Sequence, residues 1–133
     1  MSGATAAARA ALATLLRADP VLSATLNGVF EGPAVRASTP FAEIGEAVAG
    51  DWGTKDRAGR ELRLAVILRD AGETSTRIGT LGAAVEAAVP ALPRDLPGWR
   101  VASVVFLRSR VAGEGPGRWI AAIEFRVRML AAD

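Results

Sequence analysis

The chain lacks three side-chain types on which much enzyme and metal chemistry depends. It has 133 residues and contains no cysteine, no histidine and no tyrosine. Without thiols and imidazoles there is no disulfide, no thiolate nucleophile and nearly no possible zinc or haem site. The usual general base near neutral pH is missing as well. These absences predict a protein that is not an enzyme and that holds no cofactor and no metal.

Long apolar runs are missing too. No stretch approaches the roughly 18 apolar residues of a membrane span. The apolar N-terminal segment is interrupted by Arg9 and Arg17, which does not fit a signal peptide. We therefore expect no membrane association and a protein that is intracellular when it is made.

The composition that is present fits one folded domain over residues 1–133. Half of the residues are apolar, so the chain can bury a core without disulfide or metal support. Aromatic residues make up only 5% of the chain and the net charge is +2. Such a small charge does not by itself indicate a nucleic-acid-binding protein.

Two helices are predicted. The first covers residues 5–18, begins at Thr5 as a candidate N-cap, and ends before Asp19-Pro20 because the residue before proline avoids the α region. The second covers residues 73–89, with Thr74 or Ser75 as its cap. Both have apolar side chains at the three- and four-residue spacing that gives a helix one buried face. These side chains are Leu12, Leu15 and Leu16 in the first helix and Ile78, Leu81 and Val85 in the second.

Strands are predicted from alternation of apolar and polar residues. A short strand begins at Val29 and a half-apolar one at Pro40. From Arg60 the alternation is clean, with Leu62, Leu64, Val66 and Leu68 on one face. The strand over residues 99–110 is apolar on both faces, which favours a central position in the sheet. Residues 113–117 then form a hairpin loop to the last strand, residues 119–129.

This order of elements predicts the fold class. Helix, short strand, two strands, helix and two strands indicate an α+β domain, with a mostly antiparallel sheet and two main helices packed on one face.

Two candidate sites are disfavoured by their context. The loop Gly113-Glu114-Gly115-Pro116-Gly117 is rich in glycine, but a strand follows it where a phosphate loop needs a helix N-terminus. Glu43 and Glu46 differ by three positions, so a regular strand would place them on opposite faces. That spacing does not support paired acid–base catalysis or a metal site.

The segment between the two strands, residues 50–60, is the most distinctive stretch of the chain. Its sequence, GDWGTKDRAGR, puts a tryptophan among charged residues and glycines. Tryptophan and arginine are enriched at binding hot spots, so Trp52 is a candidate interface anchor. Packing of Trp52 onto its own sheet remains an equal alternative.

Five arginines near the last hairpin form a second candidate surface. Arg108, Arg110 and Arg118 flank the hairpin, and Arg126 and Arg128 lie on the outward face of the last strand. A solvated sheet face with charge pairs to residues such as Glu124 is one interpretation. Contact with phosphate or an acidic protein is the other.

The order of these motifs resembles a known family. Pro40-Phe41, Ile44-Gly45-Glu46, the run Asp51-Trp52-Gly53-Thr54-Lys55-Asp56 and the Leu62, Leu64, Val66 strand are similar to the phage tail-completion or tail-terminator family, which occurs in siphophage-like tails and gene transfer agents. The run 98–110, the glycine-rich hairpin and Ile123-Glu124-Phe125-Arg126 are similar too. One departure is Gly53, where the family more often has a small polar residue.

The resemblance implies a structural role without catalytic residues. Such proteins cap the head-proximal end of a tail tube, usually as a ring of six, and end tube growth while joining the tube to a head-side connector. The implied partners are sister subunits, the tail tube protein and the head-side connector, and DNA passes through the ring without sequence recognition. The implied location is the tail or neck of a virion or virus-like particle made in the bacterial cytoplasm. Another head–tail connector or a minor tail component is the alternative.

The resemblance also turns the two candidate surfaces into a hypothesis about contacts. Residues 50–60 are expected to project from the domain and to contact a sister subunit or the tube, and the outward face of the last strand to contact subunits or a neighbouring ring. The residues assigned to these contacts are Asp51, Trp52, Thr54, Lys55, Asp56, Arg57, Arg126 and Arg128.

Overall fold

The computed structural model describes residues 3–133, so the first two residues of the predicted domain lie outside the described part. The helices are α1 (Ala4–Ala18), α2 (Pro20–Thr25) and α3 (Thr76–Ala88), which continues into a 3-10 turn at Val89–Ala91. The strands are β1 (Val29–Phe30), β2 (Phe41–Asp51), β3 (Gly59–Ala71), β4 (Asp95–Leu96), β5 (Trp99–Gly113) and β6 (Arg118–Ala131).

The six strands form one sheet in the order β1-β2-β3-β6-β5-β4. Every neighbouring pair is antiparallel except β1 and β2, which are parallel. The predicted α+β class with a mostly antiparallel sheet and two main helices on one face is confirmed. None of the helices within residues 3–133 is long and apolar enough to cross a membrane.

One face of the sheet is buried under the helices. The alternation on β3 puts Leu62, Leu64, Val66 and Leu68 there, each 2% exposed or less, and β6 contributes Ile123, Phe125 and Val127 in the same way. The helices supply the opposing layer through Leu12, Leu16, Ile78, Leu81 and Val85. Each fully buried aliphatic side chain of this kind contributes about 1.5–3 kcal/mol. Within residues 3–133 no helix covers the other face of the sheet, and we call it the open face.

The helix ends differ in detail from the prediction. Gly3, rather than Thr5, is the N-cap of α1, and its lack of a side chain leaves that end without a side-chain cap. Asp19 ends α1 and caps α2, because its carboxylate accepts a 3.0 Å hydrogen bond from the Leu22 amide. Ser75 is the N-cap residue of α3, but its side chain makes no capping hydrogen bond.

The predicted central position of β5 is wrong. Beyond β5 there is only β4, which pairs with Trp99 and Arg100 and no further. The apolar residues on both faces of β5 are therefore not all buried, and Val105, Phe106 and Val111 are 37%, 44% and 46% exposed. Apolar character on both faces arises here from an exposed edge instead of from burial between two neighbours.

Candidate interaction surface

Residues 52–58 form a tight hairpin loop between β2 and β3. The Trp52 amide donates to the Gly59 carbonyl at 3.1 Å, and the Thr54 amide donates to the Arg57 carbonyl at 2.8 Å. The Asp51 carboxylate accepts from the Gly53 amide at 3.2 Å. The segment predicted as an excursion over residues 50–60 is thus shorter, because β2 continues to Asp51 and β3 begins at Gly59.

Arg57 ties this loop to the C-terminal end of β6. Its guanidinium donates to the Ala131 carbonyl at 3.1 Å and forms an ion pair with the Asp133 carboxylate. The Ala131 amide in turn donates to the Ala58 carbonyl at 2.8 Å. The loop therefore packs along the end of its own sheet, and Arg57 holds it there.

Trp52 lies against its own sheet as well. The guanidinium carbon of Arg128 is 5.5 Å from the centre of the Trp52 ring, a cation–π contact. Arg128 also donates to the Glu61 carboxylate at 2.9 Å, and this hydrogen bond lowers the pKa of Glu61. Trp52 is half-buried, so part of the ring remains accessible to a partner.

The tip of the loop is different in character from its base. Thr54, Lys55 and Asp56 are exposed. Within residues 3–133, Lys55 and Asp56 make no hydrogen bond or ion pair. Of the predicted interface residues in this loop, Trp52 and Arg57 hold the loop in place, while Lys55 and Asp56 present unpaired charges of opposite sign.

Arg126 and Arg128 have unlike surroundings on the open face. Arg128 is neutralised by Glu61, whereas Arg126 lies directly opposite Arg63 of β3. Like charges directly opposite each other on a sheet are destabilising. The Nε atom of Arg126 is buried and has no hydrogen-bond partner in the part of the chain that the structure describes.

The alternation of polar and apolar residues in β3 indicated two residues that lie beside Arg126 and Arg128. Glu61 and Arg63 lie on the outward side of the clean β3 pattern, and in-register pairing with β6 brings them against Arg128 and Arg126. The pairing partner of β3 was not predictable from the pattern alone, so these two residues were missed.

The expected separation of Glu43 and Glu46 onto opposite faces is wrong. A bulge interrupts the β2–β3 register between Ile44 and Ala47. Glu43 lies opposite Ile67, and the extra residue puts Glu46 on the open face as well, where it lines a cavity with Val48 and Arg63. Glu43 is paired with Arg69 at 3.0 Å, while Glu46 is exposed. Across residues 3–133 no three acidic side chains group together in a way that could hold a metal ion.

A shallow cavity of about 340 Å³ lies on the open face. Its lining joins β2 to β5 across the curled sheet, with Glu46 and Val48 on one side and Arg108, Arg110 and Glu124 on the other. An ion pair joins Arg108 to Glu124. Charged side chains therefore lie on both sides of this cavity, and they suit contact with another charged surface.

Comparisons with known proteins agree with this architecture. The sequence profile of the tail completion protein gp17 family matches residues 10–130. A solved structure described as "Virion of native gene transfer agent (GTA) particle" contains a chain that superposes with a TM-score of 0.86. The alignment covers 98% of this chain and 100% of that chain at 23% sequence identity, which shows a shared fold. No curated protein matches the chain.

The family profile spans nearly all of the described domain, from the middle of α1 to the last residues of β6. It includes the loop at 52–58, both arginines of the outward β6 face and the glycine-rich hairpin. The resemblance seen in the motifs is therefore confirmed over the whole fold, and the chain belongs to the tail completion protein gp17 family.

Proposed function

We propose that this protein caps the head-proximal end of a phage-like tail tube as a ring of six subunits. In this role it ends tube growth and joins the tube to the head-side connector. The observation that carries the proposal is the family match over residues 10–130. Proteins of this family are structural components of tail completion and not enzymes.

The likeness to a chain of a gene transfer agent virion supports a place within an assembled particle. The proposed location is the neck region of the tail, after synthesis in the bacterial cytoplasm. The partners are sister subunits, the tail tube protein and the head-side connector protein. DNA passes through the ring, and we expect no sequence readout.

A ring needs two different surfaces on each subunit, because head-to-tail contacts are heterologous. The unpaired charges of Lys55 and Asp56 at the loop tip are one suitable contact. The open face, where Arg63 and Arg126 lie opposite each other, is another. We assign Asp51, Trp52, Thr54, Lys55, Asp56 and Arg57 to contacts with a sister subunit or the tube, and Arg126 and Arg128 to subunit or neighbouring-ring contacts.

Mass measurement after size-exclusion chromatography, followed by electron microscopy, tests the proposal. The full chain is expected to form closed rings of six, alone or when the tail tube protein is added. Particles made without this protein are expected to carry tails of uncontrolled length. A strict monomer even with tube protein present would contradict the proposal, and rings that bind only the head side would favour a head–tail connector instead.

A further inference from the structure

The sheet has one long open edge on the β5 side. Because β4 ends after Leu96, residues 103–113 of β5 have no strand neighbour on their outer side within the described chain. Exposed apolar residues line this edge, and Phe106 packs edge-to-face on the buried Phe125 at 5.9 Å between ring centres. Monomeric proteins usually protect such an edge, because its unpaired amides and carbonyls template pairing with another strand.

The opposite edge of the sheet is open over a shorter length. β1 covers Ala42 and Glu43 of β2. Arg9 of α1 then occupies the next carbonyls, since its guanidinium donates to Ile44 at 3.1 Å and to Gly45. On their outer side, away from β3, residues 46–51 have no strand neighbour in the described part of the chain, and Val48 in this stretch is 57% exposed.

The two edges carry opposite charges. β2 contains three acidic residues and no basic residue, and β5 contains three arginines and no acidic residue. Most of these charges are neutralised within the chain by other partners. Glu46 on β2 and Arg110 on β5 are the two that remain exposed and make no ion pair in residues 3–133.

We propose that the β5 edge of one subunit pairs with residues 46–51 of β2 in the next subunit, so that the sheets of neighbouring subunits become continuous. This inference rests on the proposed ring and names the surface that closes it. β2 and β5 run in opposite directions within one sheet. A ring rotation about an axis along the strands preserves strand direction, so the two edges meet antiparallel.

The register of this contact follows from the rows of paired residues across the sheet. One row joins Val48, Arg63, Arg126 and Val105. In the proposed ring these rows lie perpendicular to the ring axis. Rotation about that axis adds no translation along it, so Val105 of one subunit meets Val48 of the next. These are exposed valines on the same open face. The bulge in β5 between Phe106 and Arg108 puts Arg108 where Leu107 would otherwise lie. Glu46 then faces Arg108 and lies diagonal to Arg110, and diagonal neighbours on facing strands are about 7–8 Å apart.

A charge exchange between subunits tests the pairing. Glu46→Arg makes both edges basic, and Arg110→Glu makes the β5 edge acidic beside an acidic β2. Each variant alone is expected to raise the protein concentration needed for half-assembly at least about tenfold, because like charges then face each other. An equimolar mixture is expected to assemble as the unaltered chain does, since alternating subunits restore opposite charges at every contact. Native mass spectrometry then shows equal numbers of the two variants in each ring.

Assembly of the mixture distinguishes an attraction between Glu46 and Arg110 of neighbouring subunits from an attraction within one subunit. Glu46 and Arg110 line the same cavity, so an internal attraction would be restored only in the double variant Glu46→Arg/Arg110→Glu. Failure of the mixture to assemble, with both variants folded by circular dichroism, overturns the pairing. Glu73→Arg is the matched control, because Glu73 is an exposed, unpaired glutamate before α3, and its assembly is expected to be unchanged.

Two further outcomes distinguish failure of the edge pairing from failure of the proposed ring. If the unaltered chain forms rings and both single variants form them at the same concentration, the edge pairing is wrong while the ring stands. If the unaltered chain forms no ring even with tube protein, the proposed function and the edge pairing both fail.

Discussion

Arg63 of β3 and Arg126 of β6 lie directly opposite each other on the open face of the sheet. Repulsion between such a pair costs stability, and the Nε atom of Arg126 is buried without a hydrogen-bond partner. A carboxylate supplied from outside the chain would offset the repulsion between the two guanidinium groups. The arrangement suits a surface that is completed on assembly better than one that faces water permanently.

Removing the charge of Arg126 is therefore expected to stabilise the isolated subunit. Arg126→Gln relieves the repulsion and should raise the free energy of unfolding by about 0.2–1 kcal/mol. Urea titration of the subunit below its assembly concentration measures this. Arg110→Gln is the control, because Arg110 is exposed and is not opposite another arginine. A loss of stability in Arg126→Gln would contradict the interpretation that Arg63 and Arg126 repel each other. We also expect this variant to assemble less readily.

Trp52→Ala tests whether the Trp52 side chain is an interface anchor or packs onto its own sheet. The subunit is expected to stay folded. It loses about 0.5–1 kcal/mol for the cation–π contact with Arg128, together with the hydrophobic stabilisation from the buried part of the half-buried indole. Assembly of the subunits is expected to be weakened more than folding of the single subunit, because the accessible part of the indole then no longer reaches a neighbouring subunit. Far-UV circular dichroism in urea follows stability, and mass measurement follows assembly. A large loss of subunit stability would identify Trp52 as a core residue, and unchanged assembly would remove it from the interface.

Gly59 is expected to tolerate no side chain. A Cβ atom at this position would lie 2.5 Å from the Trp52 carbonyl oxygen and 3.0 Å from Leu130 Cδ2, and the backbone of the loop cannot yield easily. Gly59→Ala should lower the free energy of unfolding by about 1–3 kcal/mol. Gly50→Ala is the matched control at the other end of the loop, since nothing lies within 4 Å of its Cβ position. Equal stability of the two variants would show that the loop rearranges freely.

Asp70 should make stability depend on pH in the acid range. Its side chain is buried and accepts hydrogen bonds from Arg77 and, at 2.8 Å, from the Ala71 amide. Above all, the hydrogen bond from Arg77 lowers the pKa of Asp70 from its ordinary value of 3.8. A lowered folded-state pKa contributes stability that is fully present above 3.8 and is lost as the pH falls through the folded-state value.

Asp70→Asn is accordingly expected to cost about 1.5–3 kcal/mol at pH 7, the range for a hydrogen bond to a charged group. The difference from the unaltered chain should shrink as the pH falls below about 4. Urea unfolding at pH 7, 5 and 3 measures it. Glu73→Gln serves as control, because Glu73 is exposed and makes no ion pair within residues 3–133. A difference that stays constant down to pH 3 would rule out the ionised Asp70–Arg77 pair as its source.

The sequence by itself determined the elements and the fold class. The helices and the long strands were predicted because apolar periods of three to four and of two residues directly reflect which side of an element is buried. The absence of histidine, cysteine and tyrosine argued against catalysis, and the order of motifs indicated the family that the profile confirms.

Only the tertiary structure decided which strands are neighbours and which charges are paired. β5 has the apolar pattern of a central strand, yet its outer side is open because β4 has two residues. A bulge in β2 reversed the expected placement of Glu46. Trp52 meets Arg128 from a strand 76 residues later in the chain. Periodicity reports the burial of one element at a time, whereas strand order, register and long-range pairing depend on how all elements pack together.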